Sequence, residues 1–331
     1  GFAQSPLQIG CGLFVIGMFA AIYHPVGLAI VTMRWKNTGM RIASNGVWGN
    51  LGVASAALIT GYMIDHGGWH MAFILPGIFS IFMGFVYMAF TWKDIHFDHT
   101  TKKQEPSTSE VKQSPSHRTL VLRVSAIVFL TTAVSSVVFQ STTFALPKIF
   151  DERLQGLALN LSQWTDSVGA SGQGDVATVI GSLAFIVFAM ASMAQLAVGL
   201  SLDRFGPRPV FMIVATVQFV FFSLMPGQVD GVALAIAFGF MLGAFGQIPI
   251  NDFMIGKMAS GAFRARIYGV RYVVSFSVLA IALPLIAYVY ANWGFDSLFR
   301  ILSGAAVVIF ISVIILPKKL PTPEAVPAAA E

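Results

Sequence analysis

Gly199-Leu-Ser-Leu-Asp203-Arg204-Phe-Gly206-Pro207-Arg208-Pro209 lies between two long apolar runs, 177–201 and 208–226, with room between them only for a tight turn. Gly206 and Pro207 dictate that turn, because glycine tolerates positive φ and proline fixes φ near −65°. Asp203, Arg204 and Arg208 are too costly to place in hydrocarbon and belong at a water interface. Read alone, the stretch is a polar hairpin joining two membrane helices, with Asp203 as a local cap.

The rest of the chain fits that setting. Its 331 residues are 56% hydrophobic and only 11% charged, where soluble proteins carry roughly 25% charged residues. The mean hydropathy is +0.76. Nine apolar spans are expected near 7–33, 41–63, 69–91, 120–146, 177–201, 208–226, 230–256, 267–290 and 297–317, each long enough to cross a core of roughly 30 Å. Alternate connections hold 17 of the 20 lysines and arginines; the other set has only Lys148, Arg153 and Arg300. The basic set belongs on the cytoplasmic side. The net charge of +5 is therefore topological and points away from nucleic acid as a partner. The partners expected are the bilayer, a small-molecule substrate and protons. A single cysteine, Cys11, excludes an intrachain disulfide, and neither a cofactor nor a metal site is expected.

This topology places the C-terminus in the cytoplasm and Gly1 outside. Without a signal peptide, such a start is expected to follow an odd number of further spans. Residues 92–119 are polar, rich in Lys, Ser, Thr and Gln, and read as a cytoplasmic linker; His96, His99 and His117 fall in it. Four parts follow: three spans in 1–91, the linker 92–119, six spans in 120–317, and a disordered tail 318–331. Residues 147–176 read as a long outer loop with no domain of its own. A weak internal repeat relates 17–73 to 241–299 at an offset of about 225. It sets Pro25 against Pro249, Arg41-Ile42 against Arg266-Ile267, and Gly68-Trp69 near Trp293-Gly294.

The G-x-x-x-D-R-x-G-x-R pattern of Gly199, Asp203, Arg204, Gly206 and Arg208 resembles the short cytoplasmic loop motif of the major facilitator superfamily. The linker and the repeat resemble that family's arrangement of two six-helix halves. The resemblance implies an all-α polytopic membrane protein: nine transmembrane helices of a twelve-helix fold, with a partial N-terminal half lacking its first three helices and a complete C-terminal half. It implies a monomeric secondary transporter that rocks its halves around a midplane site, in the plasma membrane. It also implies that the Asp203 loop packs on the start of a helix in the opposite half, here near Gly39–Ile42, and favours the conformation closed to the inside. The run Tyr23-His24-Pro25 looks similar to the fourth helix of fosmidomycin-resistance-like members. The paired glycines of drug–proton antiporters are missing from 41–63.

Intramembrane polar groups face the protein interior by default. The family's cavity-lining helices correspond to three of the spans, so Tyr23, His24, Gln140, Gln247 and Asn251 are the substrate-cavity candidates. His24, with an ordinary pKa near 6.5, is a coupling candidate or a satisfied interface histidine. Asp252, the one carboxylate well within an apolar run, is a coupling candidate or a structural partner of Arg271. Gly46, Gly49 and Gly52 offer a surface for close helix packing. The substrate expected is a small polar or anionic organic solute. The alternatives are a polytopic membrane enzyme such as a group transferase, which needs an acid, base or metal cluster at the membrane surface, and efflux rather than uptake.

Overall fold

A computed structural model describes residues 1–34, 38–97, 115–167, 176–258 and 263–317. Most of the expected linker (98–114, with His99) and the tail lie outside the described residues, as do the side chains of His96 and His117. Every regular element among the described residues is helical: α1 (Pro6–Arg34), α2 (Thr38–Gly67), α3 (Met71–Phe97), α4 (Pro115–Arg153), α5 (Gln155–Ser167), α6 (Val176–Phe205), α7 (Pro207–Leu224), α8 (Asp230–Met258) and α9 (Phe263–Ile314). Seven of them (α1, α3, α4, α6, α7, α8 and α9) contain a stretch long and apolar enough to cross a membrane.

The joints follow from local sequence. Gly206 has φ 79° and Pro207 opens α7, so the chain turns in one residue where Gly-Pro demands it. Gly68 (φ 75°) separates α2 from α3, and Gly227 (φ 75°) follows α7. Within α9, Gly294 takes φ 69° and ψ −179°. The apolar stretch of α9, 49 residues long, would span about 74 Å as one helix, far more than a bilayer core of about 30 Å. Its contacts show that the chain reverses at this glycine. Before it, Arg271 meets Asp252 near the end of α8, and Tyr290 donates to Glu152 at the end of α4. After it, Asp296 accepts from Gly227 just past α7, Ser303 bonds Ser223 near the end of α7, and Ile314 O accepts from Arg208 at the start of α7. The two arms of α9 thus run antiparallel, and Gly68 and Gly294 sit one repeat offset apart.

Three expectations change. The loop 147–176 is largely helical: α4 runs through Pro147 to Arg153, and the 13-residue helix α5 follows. Its Asn, Gln and Asp dilute the apolar signal, so it reads as loop in the sequence. The start of α5 is held by Asp230, whose Oδ1 accepts from Leu157 N at 2.7 Å. Helices also extend into both ends of the expected linker, α3 to Phe97 and α4 from Pro115. The third change concerns the glycines of α2, below.

The described residues form two compact units. The first comprises Gly1–Met18 and Ser55–Arg118; the most apolar stretch of its α3 has no buried residue, as suits a helix whose solvent is lipid. The second comprises Phe19–Ala54 and Thr119–Glu331 and holds the site. Its core stacks Phe222, Phe240 and Phe299 with centroids 5.1–6.5 Å apart, uniting α7, α8 and the second arm of α9. A second aromatic group joins Phe245 of α8 to Phe139 of α4 and Phe188 of α6.

Candidate functional site

Above the Phe245 layer the interior of the second unit turns polar. Gln247, Asn251 and Asp252 of α8 are all buried, on either side of Pro249. Proline deprives the carbonyl four residues earlier of its helical donor, which loosens the backbone beside these side chains. Gln247 Nε2 donates to the backbone oxygen of Ser135 on α4 at 3.0 Å. Its Oε1 accepts from Gln218 Nε2 of α7 at 2.9 Å. Asn251 Nδ2 reaches the carbonyl of Gln247 at 3.4 Å. One glutamine therefore links three helices at a buried position.

Beside it, Arg271 Nη1 lies 3.0 Å from Asp252 Oδ1, and both side chains are more than nine-tenths buried. The pair is close but poorly aligned: Asp252 Oδ1 and Arg271 Nε are both left without a hydrogen bond. The guanidinium carbon also sits 4.6 Å from the Tyr272 ring centre, a cation–π contact that is strongest where water is absent. Tyr268 closes the other side, donating to the Asp252 carbonyl at 2.7 Å. His24 of α1 packs its ring 4.6 Å from that of Tyr272 and 6.1 Å from Phe276. The order across the site is thus His24, Tyr272, Arg271, Asp252.

Of the sequence-predicted residues, Gln247 and Asn251 come together in the interior, with Asp252 next to Asn251. His24 reaches the same neighbourhood through Tyr272. Tyr23 is 58% exposed and donates to Asn45 Oδ1 of α2 at 2.8 Å, so it ties α1 to α2, and its ring lies 5.4 Å from that of His24. Gln140 is only partly buried, further along α4. Three residues escaped the sequence reading. Ser275 bonds Ser136 at 3.0 Å. Gln218 carries the bond to Gln247. Gln195 of α6 is fully buried with both amide atoms unpartnered. The only signal for these is a lone amide or hydroxyl in an apolar run, which the desolvation cost makes informative.

The loop motif forms a second locus. Asp203 accepts from Gly39 N through Oδ1 and from Met40 N through Oδ2, both at 2.9 Å. These N–H groups belong to the first turn of α2, where no intrahelical acceptor is available and the helix dipole favours a negative charge. Contact this close requires small residues. A Cβ on Gly39 would lie 2.6 Å from Gly199 O, and one on Gly199 would lie 2.5 Å from Ala43 Cβ. A Cβ on Gly46 would strike Gln195, whereas a Cβ added to Gly49 or Gly52 would meet no atom within 4 Å. The tight face of α2 is therefore Gly39–Ala43–Gly46, and the expected Gly46–Gly49–Gly52 surface is corrected. The helical repeat of 3.6 residues carries Gly49 and Gly52 off that face. Arg204 is exposed beside the Phe205 ring, and Arg208 Nη2 caps the carbonyl of Ile314 at 2.9 Å.

A family model of the Major Facilitator Superfamily matches residues 2–172 and 149–331, together nearly the whole chain. A comparison with curated proteins returns no match.

Proposed function

Because this chain belongs to the major facilitator superfamily, it is an integral membrane protein of a secondary-transporter family, and we propose that it carries a small polar organic solute by alternating access. The observation that carries this reading is the buried amide and hydroxyl set around Gln247 inside an otherwise apolar helical unit. Such groups are costly to bury unless they bind something. Gln247, Asn251 and Ser135 are the substrate contacts in this proposal, and Gln140 lies on the approach along α4. The sequence left an anionic solute open. The one buried arginine of the set is already matched by Asp252, which favours a solute without net negative charge.

The Asp203 seam is the gate. Two hydrogen bonds accepted by its carboxylate hold α6 against the start of α2, and their release opens the cytoplasmic side, the side that the basic connections favour for this end of the bundle. Ion coupling is assigned to the Asp252 side of the site, with His24 sensing it through Tyr272. Reconstitution tests the proposal. Protein in liposomes preloaded with unlabelled polar solutes accumulates the labelled form by counterflow, and Gln247→Leu abolishes the accumulation. Equal accumulation in wild type, variant and empty liposomes across a panel of small polar solutes would refute it.

A further inference from the structure

The hydrogen bonds around Gln247 fix more than its own orientation. Ser135 O is a backbone carbonyl and only accepts, so the Gln247 nitrogen must face it. The Gln247 oxygen is then what faces Gln218, so Gln218 must present its nitrogen, and Gln218 Oε1 is the atom left open. Asn251 likewise spends its nitrogen on a carbonyl and leaves Oδ1 open. Ser135 Oγ and Asp252 Oδ1 are also without a hydrogen bond. All four side chains are more than nine-tenths buried. Gln218 bonds the Gln247 side chain, Ser135 accepts from that side chain through its backbone oxygen, Asn251 bonds the backbone carbonyl of Gln247, and Asp252 follows Asn251 in α8 with its carboxylate toward Arg271. The interior thus offers open oxygens, on α4, α7 and α8, whose amide and carboxylate members can only accept.

A ligand suited to these atoms brings positive charge. We propose that Ser135 Oγ, Gln218 Oε1, Asn251 Oδ1 and Asp252 Oδ1 form a site for a small monovalent cation, either a sodium ion or the ammonium head of an organic amine. Oxygen ligands, amide oxygens among them, suit hard cations. The single carboxylate, shared with Arg271 at 3.0 Å, leaves too little negative charge for a divalent ion. An anion would find no donor among the amide and carboxylate oxygens. This inference takes from the proposed function the location of the site and nothing else.

The test reads binding without transport. The unfolding midpoint of the purified protein is measured at constant ionic strength in choline chloride, sodium chloride and ethylammonium chloride. Binding to the folded state alone raises the midpoint, here by about 2–4 °C when the cation is at about five times its Kd, and further as its concentration rises. A rise in sodium chloride identifies the inorganic ion; a rise confined to ethylammonium chloride identifies the head of an organic amine. Asn251→Leu and Ser135→Ala each remove one of the oxygens and should abolish the rise. The same midpoint in all three salts, as expected if water alone fills the site, overturns the proposal, as does a rise that both variants retain. A cation-dependent midpoint in a protein that moves no solute would leave this inference standing and remove the proposed function. Flux with no cation-dependent midpoint would do the reverse.

Discussion

Replacing Asp203 by Asn keeps the shape of the side chain and removes its charge. In the closed seam the carboxylate accepts two backbone N–H bonds at 2.9 Å from the first turn of α2. Asp203 is exposed, so each charge-assisted bond, ordinarily about 1.5–3 kcal/mol, is discounted for solvent screening to about 1–1.5 kcal/mol. The helix dipole adds about 0.5 kcal/mol. Asparagine retains one neutral bond of about 0.5–1 kcal/mol and turns its NH₂ toward the other donor. The closed form loses about 2 kcal/mol, which raises the open population about 30-fold. Leu202 reports it: its side chain is 1% exposed, in the seam beside Gly39. With Cys11 replaced by Ser, a Leu202→Cys thiol in native membranes reacts with a maleimide only when the seam opens, so its rate follows the open fraction. Asp203→Asn should accelerate labelling by about 30-fold, or to the rate of an exposed thiol if that limit is met first. A rate within about twofold of the parent, less than 0.5 kcal/mol, would refute the view that Asp203 holds the seam.

The same probe and two stability measurements extend the test. Gly39→Val places a Cβ within 2.6 Å of Gly199 O and should open the seam as Asp203→Asn does while leaving the carboxylate in place; unchanged labelling would count against tight packing there. Gln195→Leu removes two buried, unpartnered amide atoms, each costing about 1–3 kcal/mol. It should slow labelling at position 202 and raise the unfolding midpoint; faster labelling would show that Gln195 has partners in the closed state. Removing one member of the Asp252–Arg271 pair leaves a buried charge alone and should cost about 3–5 kcal/mol. The double change Asp252→Leu/Arg271→Leu should unfold at a higher temperature than either single change, and additive losses would contradict the pairing.

Several features were legible in the sequence because a single residue type forces them. Gly206 at positive φ ends one helix and Pro207 starts the next, so the turn between α6 and α7 could be placed to the residue. The hydrophobic runs located the spans, and Asp252, the one carboxylate well within an apolar run, needed a cation, for which Arg271 in the first turns of the next span was the expected partner. Features set by partners across space were harder to read. Gly46, Gly49 and Gly52 look equivalent along α2, yet only the residue facing α6 is used, and that choice depends on how the helix is rotated. Gln218 and Gln195 sit alone in apolar runs with nothing nearby in sequence to reveal what they touch. Helix α5 escaped because its ordering depends on Asp230, 73 residues away from Leu157.

Alternating access requires that one buried position be reached from each side of the membrane in turn, and Ser135 is the position at which to measure it. In the Cys11→Ser background, a Ser135→Cys thiol is exposed to a membrane-impermeant reagent in right-side-out and in inverted vesicles. Labelling from both faces, with the rate from the cytoplasmic face raised by Asp203→Asn, is the result expected. Labelling from one face only, or from neither, would contradict a transport site at the interior around Gln247.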